Sequence, residues 1–275
     1  MEYFIITGCV IVLTVLIYGY IQNFFLKVEQ YEIRSARIGR DVTVVLLTDL
    51  HGCKHGHGNS RLLAKIDGIS PSFICVAGDM TVKNGKNTET VLAFLARLSA
   101  KYPVYYAPGN HEIRMPAYDD YRHRIQNMGI YYLENRVVRA GDHISIAGLD
   151  LPEYWYHKFW QKREISVDIL SGQLGQCDSG LFTIMLAHNP EYFPVYAEWG
   201  ADLVLSGHIH GGIARLPVLG GVLSPSLQPF PRYDAGEFIW KGSHMVLSRG
   251  LGLHHIKLRF FNCPEISAIR ITCEK

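Results

Sequence analysis

Apolar positions are laid out along this chain in two different ways. From Tyr3 to Leu26 they are almost continuous, with Thr7, Thr14, Gln22 and Asn23 as the polar breaks. From Val42 onward they fall into short runs bounded by glycines and polar clusters. The first pattern is long enough to cross a bilayer core, which takes about 20 residues. The second is that of buried strands alternating with amphipathic helices. Strands are expected over 42–48, 73–77 and 104–107, with helices from Asn59-Ser60 to about Gly68 and over 88–99 between them. Asn59 or Ser60 suits a helix start, and Val91, Leu92, Phe94, Leu95 and Leu98 share one helical face. This βαβαβ order implies parallel strands with crossover helices.

The alternation continues with a helix near 117–128 and short strands near 130–133, 136–139 and 143–148. A helix near 166–175, a strand over 181–187, a helix over 190–198 and a strand over 202–206 follow. Past Gly212, Pro and Gly recur, and strands near 237–240, 245–248 and 265–272 close the chain. There is no internal repeat and no low-complexity linker. The expected organisation is a membrane anchor and juxtamembrane segment over 1–30 and one α/β catalytic domain over 31–275.

The apolar N-terminus reads as a retained anchor rather than a cleaved signal, having no basic n-region and no small-x-small cleavage site. Ile6-Thr7-Gly8-Cys9 comes too early to be a lipoprotein box. No Lys or Arg precedes the span, whereas Lys27, Arg34, Arg37 and Arg40 follow it. The positive-inside tendency then places the following domain on the cytoplasmic side. With 275 residues, 48% of them hydrophobic, and a mean hydropathy of +0.06, the chain can bury a sizeable core. A net charge of +2 without a basic stripe gives no indication of nucleic acid. The six cysteines lie far apart, with no CxxC pair, so neither a zinc knuckle nor a disulfide framework is expected.

Five stretches change the picture from fold to chemistry: Asp49-Leu50-His51, Gly78-Asp79, Gly109-Asn110-His111-Glu112, His188 and Gly207-His208-Ile209-His210. Each follows a predicted strand, so all five fall at strand carboxyl ends, the edge where open α/β sheets bind ligands. His208 and His210 stand two apart, a spacing that in an extended strand puts both side chains on one face. A loop loosened by Gly207 and by Gly211-Gly212 lets them converge. Two aspartates, one asparagine and four histidines, with His111 in addition, are imidazole and carboxylate donors suited to transition metals. They are too many for one ion and about right for two that share a carboxylate. Such a pair holds a hydroxide and clamps a phosphoryl oxygen for in-line displacement. Asn110 ligates without adding negative charge, and His111 can protonate the leaving oxygen or stabilise charge there.

In full and in order, these stretches resemble the signature of the calcineurin-like metallophosphoesterases. The resemblance implies a two-sheet β-sandwich flanked by helices. It implies a first metal held by Asp49, His51, Asp79 and His210, and a second by Asp79, Asn110, His188 and His208, with Asp79 bridging. The ions implied are divalent transition metals, manganese first, with iron, zinc or nickel as alternatives. His111 resembles the family's catalytic histidine. Glu112 stands where many members have Asp, and is expected to orient His111 from outside the ligand set. Ala187-His188-Asn189-Pro190, His210-Gly211-Gly212, Ser248-Arg249-Gly250-Leu251-Gly252 and Asn262-Cys263-Pro264-Glu265-Ile266 are similar to a bacterial subgroup of membrane-anchored or exported members. That subgroup includes enzymes that cleave the pyrophosphate of UDP-2,3-diacylglucosamine. Ile209 and Ile213 stand where Thr and Gln are commoner, a departure that touches specificity rather than metal binding. The absence of a twin-arginine signal fits a retained anchor.

The expected activity is therefore hydrolysis of a phosphodiester, phosphomonoester or pyrophosphate bond, on a phosphorylated small molecule or a lipid-linked nucleotide. The alternative is a non-catalytic metal-binding scaffold at the membrane. His55 and His57 are read as solvated loop residues, and His244, His254 and His255 as surface or packing residues. The aromatic segment Tyr154 to Trp160 is read as packing, with an acyl-chain groove as its functional alternative.

Overall fold

The structure, a computed structural model, describes residues 1–156, 161, 164–212, 215–216, 218–225, 227–253 and 258–274. Phe159 and Trp160 of the aromatic segment, Ile213, His254 and His255 lie outside the described residues.

Helix α1 (Glu2–Ile21) runs into a 3-10 turn at Gln22–Phe24. It is long and apolar enough to cross a membrane. Its 20 residues extend about 30 Å, and Gly19 is its one buried residue. A helix apolar on every side and exposed on nearly all of them suits lipid, not a protein core.

The strands in chain order are β1 (Lys27–Ser35), β2 (Val42–Leu47), β3 (Phe73–Ala77), β4 (Val104–Ala107), β5 (Tyr131–Tyr132), β6 (Arg136–Arg139) and β7 (Ile144–Leu149). They continue with β8 (Phe182–Ala187), β9 (Leu203–Ser206), β10 (Arg215–Leu216), β11 (Gly220–Gly221), β12 (Gly236–Trp240), β13 (Ser243–Leu247) and β14 (Glu265–Cys273). One sheet has the order β1-β14-β2-β3-β4-β5, the other β12-β13-β9-β8-β7-β6, and β10 and β11 form a separate hairpin. β2, β3 and β4 are mutually parallel, as are β7, β8 and β9.

The strands read as unbroken apolar runs because both faces are covered. On β2, Val44 and Leu46 join the core between the sheets with Cys75, Ala77, Ile184, Leu186 and Leu205. Val45 and Leu47 face the other way, into a core shared with α2 (Ser60–Ile69) and α3 (Thr88–Ser99). All five residues of the predicted α3 face are buried. A third core places Leu170 of α4 (Val167–Leu174) and Phe193 of α5 (Phe193–Trp199) against the outer face of the second sheet. The result is the expected two-sheet sandwich with helices on its outside.

β1 begins at Lys27, so it crosses the expected domain junction between residues 30 and 31. It pairs in parallel with β14, from Lys27↔Glu265 to Ser35↔Cys273. A protein truncated to begin at Lys27 keeps this strand, whereas one beginning at Tyr31 loses its first half. The shorter protein is expected to be less stable by on the order of 2–3 kcal/mol, a few lost ladder hydrogen bonds. Thermal unfolding of the two truncated proteins checks this, and equal midpoints would show that the first half of β1 contributes nothing.

Candidate metal centre

The carboxyl ends of β2, β3 and β4 in one sheet and of β8 and β9 in the other point into one place. The connections there are tight and hydrogen-bonded across elements. The Asp49 amide donates to the Gly78 carbonyl (3.0 Å), the His51 amide to the Asp79 carbonyl (3.0 Å), and the Gly207 amide to the His188 carbonyl (3.2 Å). Asp49, His51, Asp79, His208 and His210 all have left-handed backbones, with φ between 48° and 74°. That conformation is costly for residues with a Cβ and collects at functional sites. Gly207 contributes differently from the expectation: a Cβ there would strike Thr48 Oγ1 and Asp49 Oδ2, so the glycine is required by close approach.

Two clusters result. Asp49, His51 and His210 have one donor atom each within 4.8 Å of one another, as do Asp79, His188 and His208. In the first, His51 Nε2 lies 3.1 Å from His210 Nε2, and His210 Nε2 lies 3.3 Å from Asp49 Oδ1. In the second, His188 Nε2 lies 3.2 Å from Asp79 Oδ2. Asp79 also groups with His51 and His111, so it touches both clusters. Its Oδ1 accepts the His111 amide (2.8 Å), and His111 Nε2 lies 3.9 Å from its Oδ2. Asn110 is buried beside these residues, and its Oδ1 accepts no hydrogen bond among the described residues.

The donor set is short of positive charge. Burial pushes the Asp49 carboxyl up to about 6, with His188 opposing and Asp79 adding to the shift. Burial would raise Asp79 too, but His188, His111 and His51 outweigh it and hold that carboxyl well below the ordinary range. Burial would lower His188, but Asp79 and Asp49 outweigh it and push the imidazole up to about 10. The two buried carboxylates beside it favour the protonated form of His188. A divalent ion would supply that charge instead. His188 is built for the neutral state as well: its Nδ1 donates to the Ala77 carbonyl (2.7 Å), which turns Nε2 toward the carboxylates as a lone pair. An unmatched buried amide oxygen costs about 1–3 kcal/mol, which ligation by Asn110 would remove. The residues therefore fit metal ions.

Glu112 lies outside the donor set and is held by backbone amides. Its buried carboxylate accepts the amides of Asp79 (2.8 Å), Gly109 (3.0 Å) and Thr81 (3.1 Å) and the hydroxyl of Tyr106 (3.0 Å). It braces the backbone around Asp79, and none of these partners is the His111 ring. Burial, reinforced by the Asp79 charge, pushes Glu112 up to about 7. The Lys83 amide donates to the His111 ring at Nδ1 (3.3 Å). His55 differs from its solvated reading. It is buried, its Nε2 sits 2.8 Å from the Leu251 carbonyl, and burial lowers its imidazole. His57 is exposed, and His244 pairs with Glu237 at 2.6 Å.

Several supporting residues carried no assigned role in the sequence. Thr48 Oγ1 lies 2.9 Å from Asp49 Oδ2, and the Asn262 amide donates to the His210 carbonyl (2.7 Å). Gly250 lies so close to Asp49 that a Cβ would approach its Cβ to 2.7 Å. Buried Arg259 donates to the carbonyls of Arg249, Gly250 and Gly252, bracing that loop. Within the aromatic segment, Trp155 is buried against Tyr192 and Tyr156 faces His208, ring centroids 5.6 and 5.2 Å apart respectively. Only Tyr156 of the described part reaches the centre.

Comparison with known proteins bears on this geometry. A family model described as calcineurin-like phosphoesterase matches residues 42–212. An uncharacterized metallophosphoesterase of Campylobacter jejuni is 29% identical over 278 residues, covering 96% of this chain and 69% of the relative. One from Aquifex aeolicus is 24% identical, covering 92% of this chain and 95% of the relative. A Danio rerio relative, named a transmembrane protein with metallophosphoesterase domain, is 25% identical, covering 82% of this chain and 52% of its own length.

Proposed function

This chain belongs to the calcineurin-like phosphoesterase family, and from that premise we propose that it is a membrane-tethered phosphohydrolase with a dinuclear metal centre. Asp49, His51, Asp79 and His210 would hold one ion. Asp79, Asn110, His188 and His208 would hold the other. The observation that carries this reading is that Asp79, a member of one donor cluster, also groups with His51 of the other. When bound, two divalent ions would supply Lewis acidity to a phosphoryl oxygen and lower the pKa of a water molecule. The chain's own contribution is placement. The left-handed turns aim the donors, and Glu112 and Thr48 fix Asp79 and Asp49. His111 presents Nε2 at the edge of the centre.

The test uses the full chain in detergent, stripped by chelator and reloaded with Mn²⁺. Hydrolysis of a nitrophenyl phosphodiester or monoester is expected to be absent in the stripped protein and restored on reloading, with about two ions bound per chain. A loaded protein inert toward both esters and toward pyrophosphate bonds would favour the scaffold reading.

For the substrate we propose a lipid-linked nucleotide, with UDP-2,3-diacylglucosamine as the probe. The apolar α1 and the placement of Tyr156 beside His208 support it. Release of UMP from that probe, faster than turnover of the generic esters, is the expected result. The bulk of the domain is proposed to face the cytoplasm, on the strength of Lys27, Arg34, Arg37 and Arg40 after the span.

A further inference from the structure

We propose that the catalytic domain rests on the bilayer through a second contact beside α1. That contact is an apolar apron of Leu216, Val218, Leu219, Leu227, Phe230 and Phe261, which brings the rim of the metal centre to the lipid surface. The inference rests on the reading of α1 as membrane-spanning.

The argument begins with depth. A hydrocarbon core needs about 20 helical residues. Counted from Glu2, that places its far boundary near the end of α1 at Ile21. Tyr18, Tyr20, Phe24 and Phe25 cluster at this level, as interfacial aromatics do. The domain reaches back to the same level. The Arg259 amide donates to the Gly19 carbonyl at 3.0 Å, a Cβ on Gly19 would meet the Phe260 ring at 2.7 Å, and the Phe261 ring lies 5.4 Å from that of Tyr18. Phe261 is also 54% exposed. If α1 spans, a half-exposed Phe261 packed beside Tyr18 sits within the interface.

The apron continues from there. The Arg215 amide donates to the Phe260 carbonyl (3.0 Å), which docks the β10-β11 hairpin beside the helix foot. At the tip of that hairpin Val218 is fully exposed and Leu219 is 65% exposed. Val218 has φ of 71°, a conformation that turns ordinarily give to Gly or Asn. A β-branched apolar residue there is chosen neither for the turn nor for water. Phe230 and Leu227 follow, at 59% and 41% exposure, on the segment tied back by the Phe230 amide to the Val222 carbonyl (2.9 Å). Apolar side chains collected around the foot of an apolar helix have a bilayer as their natural partner.

The consequence concerns the centre. His210 and Gly212 adjoin the apron directly: the Asn262 amide holds the His210 carbonyl next to Phe261, and the Leu223 amide donates to the Gly212 carbonyl (3.4 Å). A phosphate on a lipid headgroup would thus approach the centre from the surface on which the apron lies.

The test places benzoylphenylalanine, a photocrosslinker, at position 13, 218, 239 or 261 of the full chain, one chain per lipid nanodisc. Lipid adducts are expected at 13, 218 and 261 and none at 239, an exposed position on β12. Adducts at 13 without any at 218 and 261 would overturn the apron while leaving the anchor. A crosslink from 218 to a second chain in nanodiscs carrying two would overturn it in favour of self-association. No adduct at 13 would overturn both the apron and the spanning reading. None of these readouts depends on catalysis, so they stand apart from the phosphohydrolase reading.

Discussion

Replacing Asp79 by Ala is expected to lower kcat/KM by about a thousandfold or more, because metal-assisted charge stabilisation contributes several kcal/mol and each 1.4 kcal/mol is tenfold. Asp79 groups with His188 and His208 on one side and with His51 and His111 on the other. Its Oδ1 is occupied by the His111 amide and its Oδ2 faces His188 at 3.2 Å. Its backbone is fixed independently, by Glu112 on its amide and by the His51 amide on its carbonyl. Truncating the side chain therefore removes charge and ligand while leaving the turn braced. Metal analysis should show fewer than two ions per chain in the variant. Asp79→Asn keeps the shape and an acceptor for the His111 amide but lacks the charge. If Asp79 served only to shape the turn, Asn would restore the rate; as a shared ligand, it will not. Activity of Asp79→Ala within about tenfold of the parent, measured with Mn²⁺ in excess, would remove the basis for the dinuclear reading.

What the sequence exposed and what it hid follow from the kinds of force involved. The parallel strands were readable because burial on both faces leaves uninterrupted apolar runs, as at Val44 to Leu47. The site was readable because its donors follow those runs directly. β1 was hidden for the opposite reason. It lies at a sheet edge with Ile33 as its one buried residue, and its sequence Lys27-Val28-Glu29-Gln30-Tyr31-Glu32 carries no such run. Its pairing with β14 joins residues more than two hundred positions apart, which no local pattern encodes.

The roles of Glu112 and His55 were hidden because they depend on what surrounds a polar side chain. Glu112 stands next to His111 in the sequence, and the chain turns so that its carboxylate meets the Asp79, Thr81 and Gly109 amides. His55 between glycine-rich neighbours looked solvated, yet the loop from Gly250 to Leu253 covers it through the Leu251 carbonyl. Asn262 stands fifty-two residues from His210, whose carbonyl it holds. Residue type and spacing announce ligands, while bracing residues become visible only once the backbone is in place.

His111→Ala is expected to reduce kcat by about 10²–10⁴-fold, the range for a group that assists charge or proton movement in the transition state, while leaving the bound metal unchanged. The ring's tautomer decides which assistance it gives. The Lys83 amide donates to Nδ1, so the neutral ring carries its proton on Nε2, the nitrogen nearer the centre. Burial lowers this imidazole despite the opposing pull of Asp79, and two added cations would push it the same way. A neutral ring gives up its last proton too reluctantly to act as a full acid, so Nε2–H serves as a hydrogen-bond donor to charge developing on the phosphoryl group or leaving oxygen. Two results separate this from proton transfer. The loss in His111→Ala should be similar for esters with good and poor leaving groups, whereas loss of a general acid would grow as the leaving group becomes more basic. His111→Gln, which keeps a donor without an acid, should recover part of the rate. A loss that rises steeply with leaving-group pKa, with no recovery in His111→Gln, would assign the residue as the acid. It would also require the loaded centre to hold His111 protonated against both burial and the adjacent cations.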